Sequence, residues 1–364
     1  MEFIDLKKQH KILEKDIASA IKNVLNHGRY IKGPEVKLLE EELSDYTGAK
    51  NCILVANGTD ALEIALKAIN ISPNDEVLVP SYTWVSTAEV VKYLGATPIF
   101  CDIDIETFNI DVNDVLKKIS SKTRAVIAVS LFGQCSELLE LKKICDQNDI
   151  TLIEDAAQSF GAKHHDQKSC SIADISTTSF FPSKPLGCYG DGGAIFSDNQ
   201  DLSKNMRLIA NHGQEGKDNF TVIGRNSRLD TIQAAILLTK LKVFDEEIFL
   251  RNEIHNFYSN NIDPALVETP VIKNYNLSVF AQYTLKGTQE TILAIKESLS
   301  KQSIPYMNYY EKPLYTQNAY KTSSELLPNT DNLSTRTISI PMSPYLNKDD
   351  LQSVVDSINK VSGE

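Results

Sequence analysis

Apolar side chains recur at helical spacing in the first fifty residues of the chain. Residues 8–26 carry them three or four positions apart, which predicts an amphipathic helix that ends at Gly28. A second helix is predicted from Pro34, because proline suits the first turn of a helix and Leu39 and Leu43 lie on one face. We therefore expect two amphipathic helices before the first strand.

From residue 52 the pattern changes to short apolar runs that alternate with amphipathic stretches. This alternation predicts an α/β fold, with a mostly parallel sheet covered on both faces by helices. Ligands bind such sheets beyond the carboxyl ends of the strands, so we expect functional residues directly after each strand. The predicted strands are residues 52–56, 76–80, 97–102, 125–130, 151–155 and 194–197, and helices are predicted near residues 60–69, 84–94, 110–119 and 136–147.

The length of the chain predicts two domains. With 364 residues, it exceeds the size at which a single hydrophobic core is usual. A helix is predicted over residues 229–243, and we interpret the charged residues 245–253 after it as the approach to a second domain. The expected organisation is a large domain at residues 1–244 and a smaller C-terminal α/β domain at residues 245–364.

Composition and charge restrict the class of protein. Hydrophobic residues make up 42% and charged residues 23%, which is typical of a globular protein. The net charge of -11 disfavours nucleic acid and anionic membranes as partners, because both require a basic face. No apolar run approaches the ~20 residues of a membrane-spanning helix. The first residues lack the features of a signal peptide, so we expect a cytoplasmic protein.

The cysteines indicate neither a disulfide framework nor a metal site. The six are scattered, none forms a CxxC pair, and no histidine pair at metal-ligand spacing accompanies them. We predict buried, reduced thiols and no bound metal. The positions are Cys52, Cys101, Cys135, Cys145, Cys170 and Cys188.

A turn that contains Gly58 and Thr59 leads from the first predicted strand into an apolar helix. The free backbone N–H groups and the dipole at a helix N-terminus attract anions, so this turn is a candidate phosphate site. The alternative is a plain helix cap, in which Asp60 caps the helix and Glu63 reaches back to the backbone. Taken alone, the turn favours the cap.

Lys184 lies in a segment of apolar and ring residues, an unusual setting for a solvated ammonium group. Burial lowers the pKa of a lysine, and the neutral amine is the form that makes a Schiff base. Asp155 ends the predicted strand 151–155, where a carboxylate can face a ligand, and Gln158 follows it. The alternative for these residues is a solvated loop with a surface lysine.

Taken together, these motifs resemble the DegT/DnrJ/EryC1/StrS family of sugar aminotransferases. The shared features are the turn at residues 58–60, the aromatic segment 81–84, the acid Asp155, the S-x-x-x-S-K motif that ends at Lys184, and G-D-G-G at residues 190–193. The resemblance extends from residue 3 to residue 346. It implies the type I fold of enzymes that depend on pyridoxal 5'-phosphate (PLP), with a seven-stranded sheet and a smaller C-terminal domain.

The resemblance also implies roles for residues around the cofactor. Lys184 would hold PLP as a Schiff base and act as the proton carrier, and Asp155 would pair with the pyridine nitrogen. Gln158 would lie close to the ring and Trp84 would stack on it, although a Trp in the core is the alternative. The expected phosphate contacts are Gly58, Thr59 and Ser179.

Further implied contacts involve a second subunit and the substrate. Asn226 would reach the phosphate of the other subunit's cofactor, so the active unit would be a two-fold homodimer. Arg228 would bind substrate across the same interface, since arginine binds carboxylates bidentately. Tyr309 and Tyr310 are the other candidate substrate residues. Tyr309 stands where family members often have a His, and a phenol cannot supply a cation near neutral pH.

The implied reaction moves an amino group from L-glutamate to the 3-keto position of a UDP-linked 2-acetamido-hexuluronate. Segments 130–135, 179–193 and 226–235 are most similar to enzymes that make such sugars for bacterial surface polysaccharide, including the O-antigen of lipopolysaccharide. Tyr309 leaves open a dTDP- or UDP-linked 3-keto or 4-keto deoxyhexose. The alternatives from other classes are a PLP-type sugar dehydratase, which has a His where Lys184 stands, and a non-catalytic sugar-nucleotide binder.

Overall fold

The computed structural model describes residues 1–320 and 326–363 of the chain. The helices in these ranges are α1 (Leu6–His27), α2 (Pro34–Thr47), α3 (Gly58–Ala68), α4 (Ser86–Tyr93), α5 (Val112–Lys118), α6 (Leu138–Gln147), α7 (Gln200–Ala210), α8 (Thr231–Leu241), α9 (Phe244–Asn261), α10 (Gln289–Lys301), α11 (Pro328–Ser334) and α12 (Lys348–Asn359). The strands are β1 (Asn51–Val55), β2 (Glu76–Pro80), β3 (Thr97–Cys101), β4 (Thr123–Val129), β5 (Thr151–Asp155), β6 (Lys163–His164), β7 (Gln167–Lys168), β8 (Ile175–Ser179), β9 (Gly193–Ser197), β10 (Asn276–Leu277), β11 (Tyr283–Lys286) and β12 (Thr337–Ile340). None of the described helices combines the length and the apolar character needed to cross a bilayer.

The central sheet has seven strands in the order β1-β9-β8-β5-β4-β2-β3. The pairs from β8 to β3 are parallel, whereas β9 runs antiparallel to both of its neighbours, β1 and β8. The predicted α/β fold with a mostly parallel, seven-stranded sheet is therefore confirmed. Because the parallel strands share one direction, their carboxyl ends lie along the same edge of the sheet.

The inner strands are apolar on both faces because each face packs against helices. In β4 and β5, Val126 and Leu152 face one hydrophobic core, and Ile127 and Ile153 face the other. Strands buried on both faces read as continuous apolar runs, which is why their sequences predicted them. The six cysteines are all buried, as predicted.

Strand β8 was not predicted, because its sequence is polar. It is nevertheless buried, and its hydroxyl groups find acceptors on the neighbouring strand. Ser176 donates to the Glu154 carboxylate at 3.3 Å, Thr177 to the Glu154 carbonyl at 3.3 Å, and Thr178 to the Ala156 carbonyl at 3.1 Å. Buried hydroxyls are tolerated when they are hydrogen-bonded, so tertiary contacts allow a strand that the apolar pattern does not indicate.

A further core lies in the C-terminal third of the chain, where β11 and β12 pair antiparallel beneath helices α10 and α12. Helix α9 contributes to two cores. Phe244 and Ile248 near its start pack into one core of the large sheet, whereas Ile254 and Tyr258 pack into the C-terminal core. The division at residues 244 and 245 stays a prediction, and it falls where this shared helix begins.

Candidate active site

Two candidate residues end neighbouring strands of the sheet. Asp155 is the last residue of β5, and Ser179 is the last residue of β8. The two strands are parallel, so both residues lie at the edge formed by the carboxyl ends. Ligands bind α/β sheets at this edge, so the position agrees with the sequence-based expectation for a functional site.

Asp155 is a buried carboxylate. Its Oδ1 accepts a hydrogen bond from the backbone N–H of Ala157 at 3.0 Å. Burial raises the pKa of Asp155, while the Ala157 N–H and the charge of Lys184 act in the opposite direction. A buried carboxylate remains ionised more readily when a cation lies nearby. The positive charge of Lys184 acts on Asp155 in this way, because it lowers the pKa of the carboxyl group.

Lys184 lies in the loop between β8 and β9 and is partly buried. Its backbone N–H donates to the carbonyl oxygen of Phe181 at 2.8 Å. Burial lowers the pKa of the Lys184 amine, and the charge of Asp155 partly restores it. A lowered pKa increases the fraction of neutral amine, which is the nucleophilic form.

The Lys184 loop is compact because of Gly187. A Cβ at this position would lie 2.5 Å from the carbonyl oxygen of Pro182, closer than any side chain allows. The loop closes where the Cys188 N–H donates to the Phe180 carbonyl at 2.8 Å. The turn after Lys184 is therefore tight enough to require glycine.

Lys240 was missed by the sequence analysis. It lies on α8 and is only 2% exposed, and its Nζ donates to the Gly187 carbonyl at 2.7 Å. The same Nζ lies 4.5 Å from the centroid of the Tyr189 ring, a favourable cation–π distance. Burial lowers the pKa of Lys240 to about 8. Its sequence context, an ordinary lysine on an amphipathic helix, gave no signal of this contact.

The candidate phosphate turn opens helix α3. Gly58 approaches the end of β8 so closely that a Cβ there would lie 2.9 Å from the Cβ of Ser179. The hydroxyls of Thr59 and Ser86 are 2.8 Å apart, so the starts of α3 and α4 are linked. Gly58, Thr59 and Ser179 are thus brought together at a helix N-terminus, where backbone N–H groups attract anions.

The alternative of a helix cap by Asp60 is wrong. The cap is Asn57, whose Oδ1 accepts from the Asp60 N–H at 2.8 Å. Asp60 and Glu63 instead form ion pairs with the guanidinium of Arg225, at 2.9 Å for Asp60. The sequence could not indicate this, because Arg225 is distant along the chain.

Trp84 is exposed, so the alternative of a core Trp is also wrong. The side chain is 61% exposed and, with Tyr310 and Lys312, lines a cleft of about 740 Å³. Gln158 reaches the wall of this cleft, because its Nε2 donates to the Tyr310 hydroxyl at 3.4 Å. Its Oε1 accepts from the backbone N–H of Phe132 at 2.9 Å, which holds the amide in place.

Tyr309 packs beside Tyr310 with its ring centroid 6.4 Å from that of Phe132. Its carbonyl oxygen accepts a hydrogen bond from the hydroxyl of Tyr82. Burial raises the pKa of the Tyr309 phenol, so it is neutral near physiological pH. The Tyr309 side chain can therefore form a hydrogen bond with a ligand but carries no charge.

Asn226 and Arg228 flank Ser227, whose hydroxyl accepts a hydrogen bond from the Ala56 N–H at 3.0 Å, just before the Gly58 turn. Asn226 is exposed and forms an isolated bridge with Asn211. Arg228 lines a separate cavity of about 450 Å³ together with Lys32. Asn226 and Arg228 therefore lie in a segment that borders the end of β1, and Arg228 lines this cavity.

The residues around Lys184 fit PLP by their chemistry. A protonated pyridine nitrogen requires a buried anion such as Asp155, and the aldehyde requires an amine such as Lys184. The phosphate requires a helix N-terminus, which the Gly58 turn provides. Fold and site together define the class of PLP-dependent transferases with the type I fold.

Comparisons with known proteins narrow this class. The sequence model of the DegT/DnrJ/EryC1/StrS aminotransferase family matches residues 11–359, so the chain belongs to this family. It is 46% identical over 346 residues to the UDP-2-acetamido-2-deoxy-3-oxo-D-glucuronate aminotransferase of Pseudomonas aeruginosa, with 95% of this chain and 96% of that protein covered.

Two solved structures agree with the fold. A DegT DnrJ EryC1 StrS aminotransferase from Brucella abortus superposes with a TM-score of 0.96 at 38% identity, over 100% of both chains. NtdA from Bacillus subtilis, with bound PMP, has a TM-score of 0.93 at 26% identity, over 100% of this chain and 85% of that one. The chain is therefore a PLP-dependent nucleotide-sugar aminotransferase.

Proposed function

We propose that the chain transfers an amino group from L-glutamate to the 3-keto position of a UDP-linked 2-acetamido-hexuluronate. The observation that carries this proposal is the 46% identity, over 95% of the chain, to the Pseudomonas aeruginosa enzyme named for that substrate. Arg228 supports it, because a uronate carries a carboxylate that a guanidinium binds well. The product would enter surface-polysaccharide synthesis, including O-antigen, and we expect the reaction in the cytoplasm.

Bound PLP supplies a covalent link to amines and an electron-withdrawing ring. Lys184 would hold the cofactor and, once released, take the proton from the substrate carbon and return it, as a base and then as an acid. Its lowered pKa favours this exchange, because proton transfer is most efficient when the pKa lies near the working pH. Asp155 would hold the proton on the pyridine nitrogen.

Other residues would orient the cofactor and exclude water. Trp84 would lie against the ring from the open cleft, and Gln158 would approach it from the side of Tyr310. The turn at Gly58 and Thr59, with the Ser179 hydroxyl, would hold the phosphate. These contacts matter most while Lys184 is detached, because the phosphate and the ring are then the only anchors.

We further propose a homodimer in which Asn226 and Arg228 serve the site of the other subunit. Large apolar side chains near them are exposed, including Phe220 at 63%, Ile223 at 88% and Ile31 at 46%. Exposed apolar groups of this size are typical of protein interfaces. A second copy of the chain is the partner that would cover them and complete both sites.

Tyr309 favours a second candidate substrate, a dTDP- or UDP-linked 3-keto or 4-keto deoxyhexose, because its neutral phenol cannot pair with a sugar carboxylate. A sugar dehydratase or a non-catalytic binder has less support, since Lys184 and Asp155 are both retained. The deciding experiment converts the purified protein to its pyridoxamine form and follows single turnovers with a panel of UDP- and dTDP-linked keto sugars. Turnover of the UDP-linked 3-keto uronate supports the proposal, and turnover of deoxyhexoses alone overturns it.

A further inference from the structure

The cavity lined by Arg228 contains two cations without a carboxylate partner. Among the residues that the structure describes, neither Lys32 nor Arg228 forms an ion pair. Lys32 instead donates from Nζ to the side-chain oxygen of Asn211 at 2.9 Å. Desolvation lowers the pKa of Lys32, repulsion from Arg228 and Arg207 lowers it further, and the charge of Glu40 acts in the opposite direction. Like charges that line one cavity repel each other, and an anion bound between them would relieve this repulsion.

The other charged groups of the cavity already have partners. Arg207 binds both carboxylate oxygens of Glu40, at 2.9 and 3.1 Å. Lys204 pairs with Glu215 at 3.3 Å on the outer side. Glu40, the acid in the cavity wall, is therefore occupied, and Lys32 and Arg228 keep their charges available. An anionic ligand would meet these two groups first.

Hydrogen bonds join the backbone segments that carry Lys32 and Arg228. The Gly33 N–H donates to the Thr231 hydroxyl at 3.1 Å, and the Thr231 N–H donates to the Tyr30 carbonyl at 2.9 Å. Lys32 itself has φ of 52°, in the left-handed region that costs a residue with a Cβ about 1 kcal/mol. The turn is thus held in one conformation beside the segment that carries Arg228.

We propose that Lys32 and Arg228 together bind the diphosphate of the nucleotide sugar. The two charges match the two negative charges of a diphosphate diester, and the volume of about 450 Å³ lies in the range of ligand sites. Val36, Leu208 and Leu229 add apolar wall next to the charges. This inference rests on the proposed function, since it assumes a nucleotide-linked substrate, and it assigns Arg228, together with Lys32, to the diphosphate instead of the sugar carboxylate.

The test is calorimetric titration of the PLP-loaded protein with UDP, uridine and glucuronate. The variants are Lys32→Gln and Arg228→Gln, and the control is Lys50→Gln, which removes a surface charge outside the cavity. Each cavity variant should bind UDP about ten-fold or more weakly, because charged hydrogen bonds are lost. Uridine affinity should stay unchanged, and the control should bind UDP like wild type. Thermal unfolding of each variant checks that it is folded.

Three results would overturn the inference. The first is unchanged UDP affinity in folded Lys32→Gln. The second is an equal loss of UDP and uridine binding, and the third is a loss confined to glucuronate, which would assign the cavity to a carboxylate. A separate readout isolates the proposed function: mixing the loaded protein with glutamate shows spectroscopically whether it accepts the amino group. Failure of that step would overturn the function and leave the UDP comparison valid.

Discussion

The ammonium group of Lys240 reaches the carbonyl oxygen of Gly187 at 2.7 Å from within the core, and so joins helix α8 to the loop that carries Lys184. A buried lysine is expensive to keep charged, and its pKa of about 8 reflects that cost. The contact with α8 therefore stabilises one conformation of the Lys184 loop.

Replacing Lys240 with Met should loosen this loop. The Gly187 carbonyl would lose its buried donor, which costs about 1–3 kcal/mol in the free energy of unfolding, offset in part because no charge is buried. We expect a lower affinity for PLP, measured by equilibrium dialysis, together with this loss of stability. Lys240→Arg should restore part of both. Unchanged PLP affinity in Lys240→Met would exclude a positioning role.

The same lysine predicts a pH dependence of stability. Its pKa is lowered from 10.5 to about 8 by folding, so between these values the unfolded chain binds more protons than the folded one. The free energy of unfolding should therefore gain a contribution as pH rises from about 8 to about 10.5. Denaturant titrations measure the free energy of unfolding of wild type and Lys240→Met across this pH range. The difference between the two proteins isolates the contribution of Lys240, because the other titrating groups are common to both. A constant difference between the two proteins would contradict the lowered pKa.

Lys184→Ala should abolish turnover and the visible absorbance band of lysine-bound PLP. The side chain is only partly buried, so the folded structure should survive. Lys11→Ala, on the exposed face of α1, serves as the control with one lysine removed. Normal activity in the Lys184 variant would disprove the assignment.

Asp155→Asn separates function from stability. The amide cannot hold a proton on the pyridine nitrogen, so kcat should fall by about 10²-fold or more. Stability should hold or rise, because burial raises the pKa of this carboxylate and the neutral amide avoids that cost. Stopped-flow kinetics and thermal unfolding measure the two effects. A kcat near that of wild type would refute the role of Asp155.

Tyr309→His tests which substrate the enzyme prefers. A His adds a cation below its pKa, which should raise kcat/KM for a uronate relative to a deoxyhexose, and more so at pH 6 than at pH 8. Tyr309→Phe, which removes only the hydroxyl, is the matched control. A ratio of kcat/KM values that does not change with pH in the His variant would show that Tyr309 does not face the carboxylate.

Residues whose role follows from a local pattern could be predicted from the sequence. The apolar run of β5 placed Asp155 at a strand end, and the apolar neighbours of Lys184 pointed to a lowered pKa. Other features depend on distant contacts. The burial of Lys240 depends on a carbonyl in another loop, and the ion pairs of Asp60 depend on Arg225. Contacts between residues that are distant along the chain do not affect the local spacing of apolar residues, so this spacing cannot predict them.

Helix α9 links two hydrophobic cores of the molecule. It contains neither glycine nor proline, and it anchors Phe244 in one core and Tyr258 in another. Because the helix is continuous, its number of residues sets the relative orientation of the two hydrophobic cores that it joins. One residue inserted near Arg251 would turn everything beyond it by about 100° and advance it about 1.5 Å. Tyr310 would then leave the cleft beside Trp84, although no residue of the site had been changed.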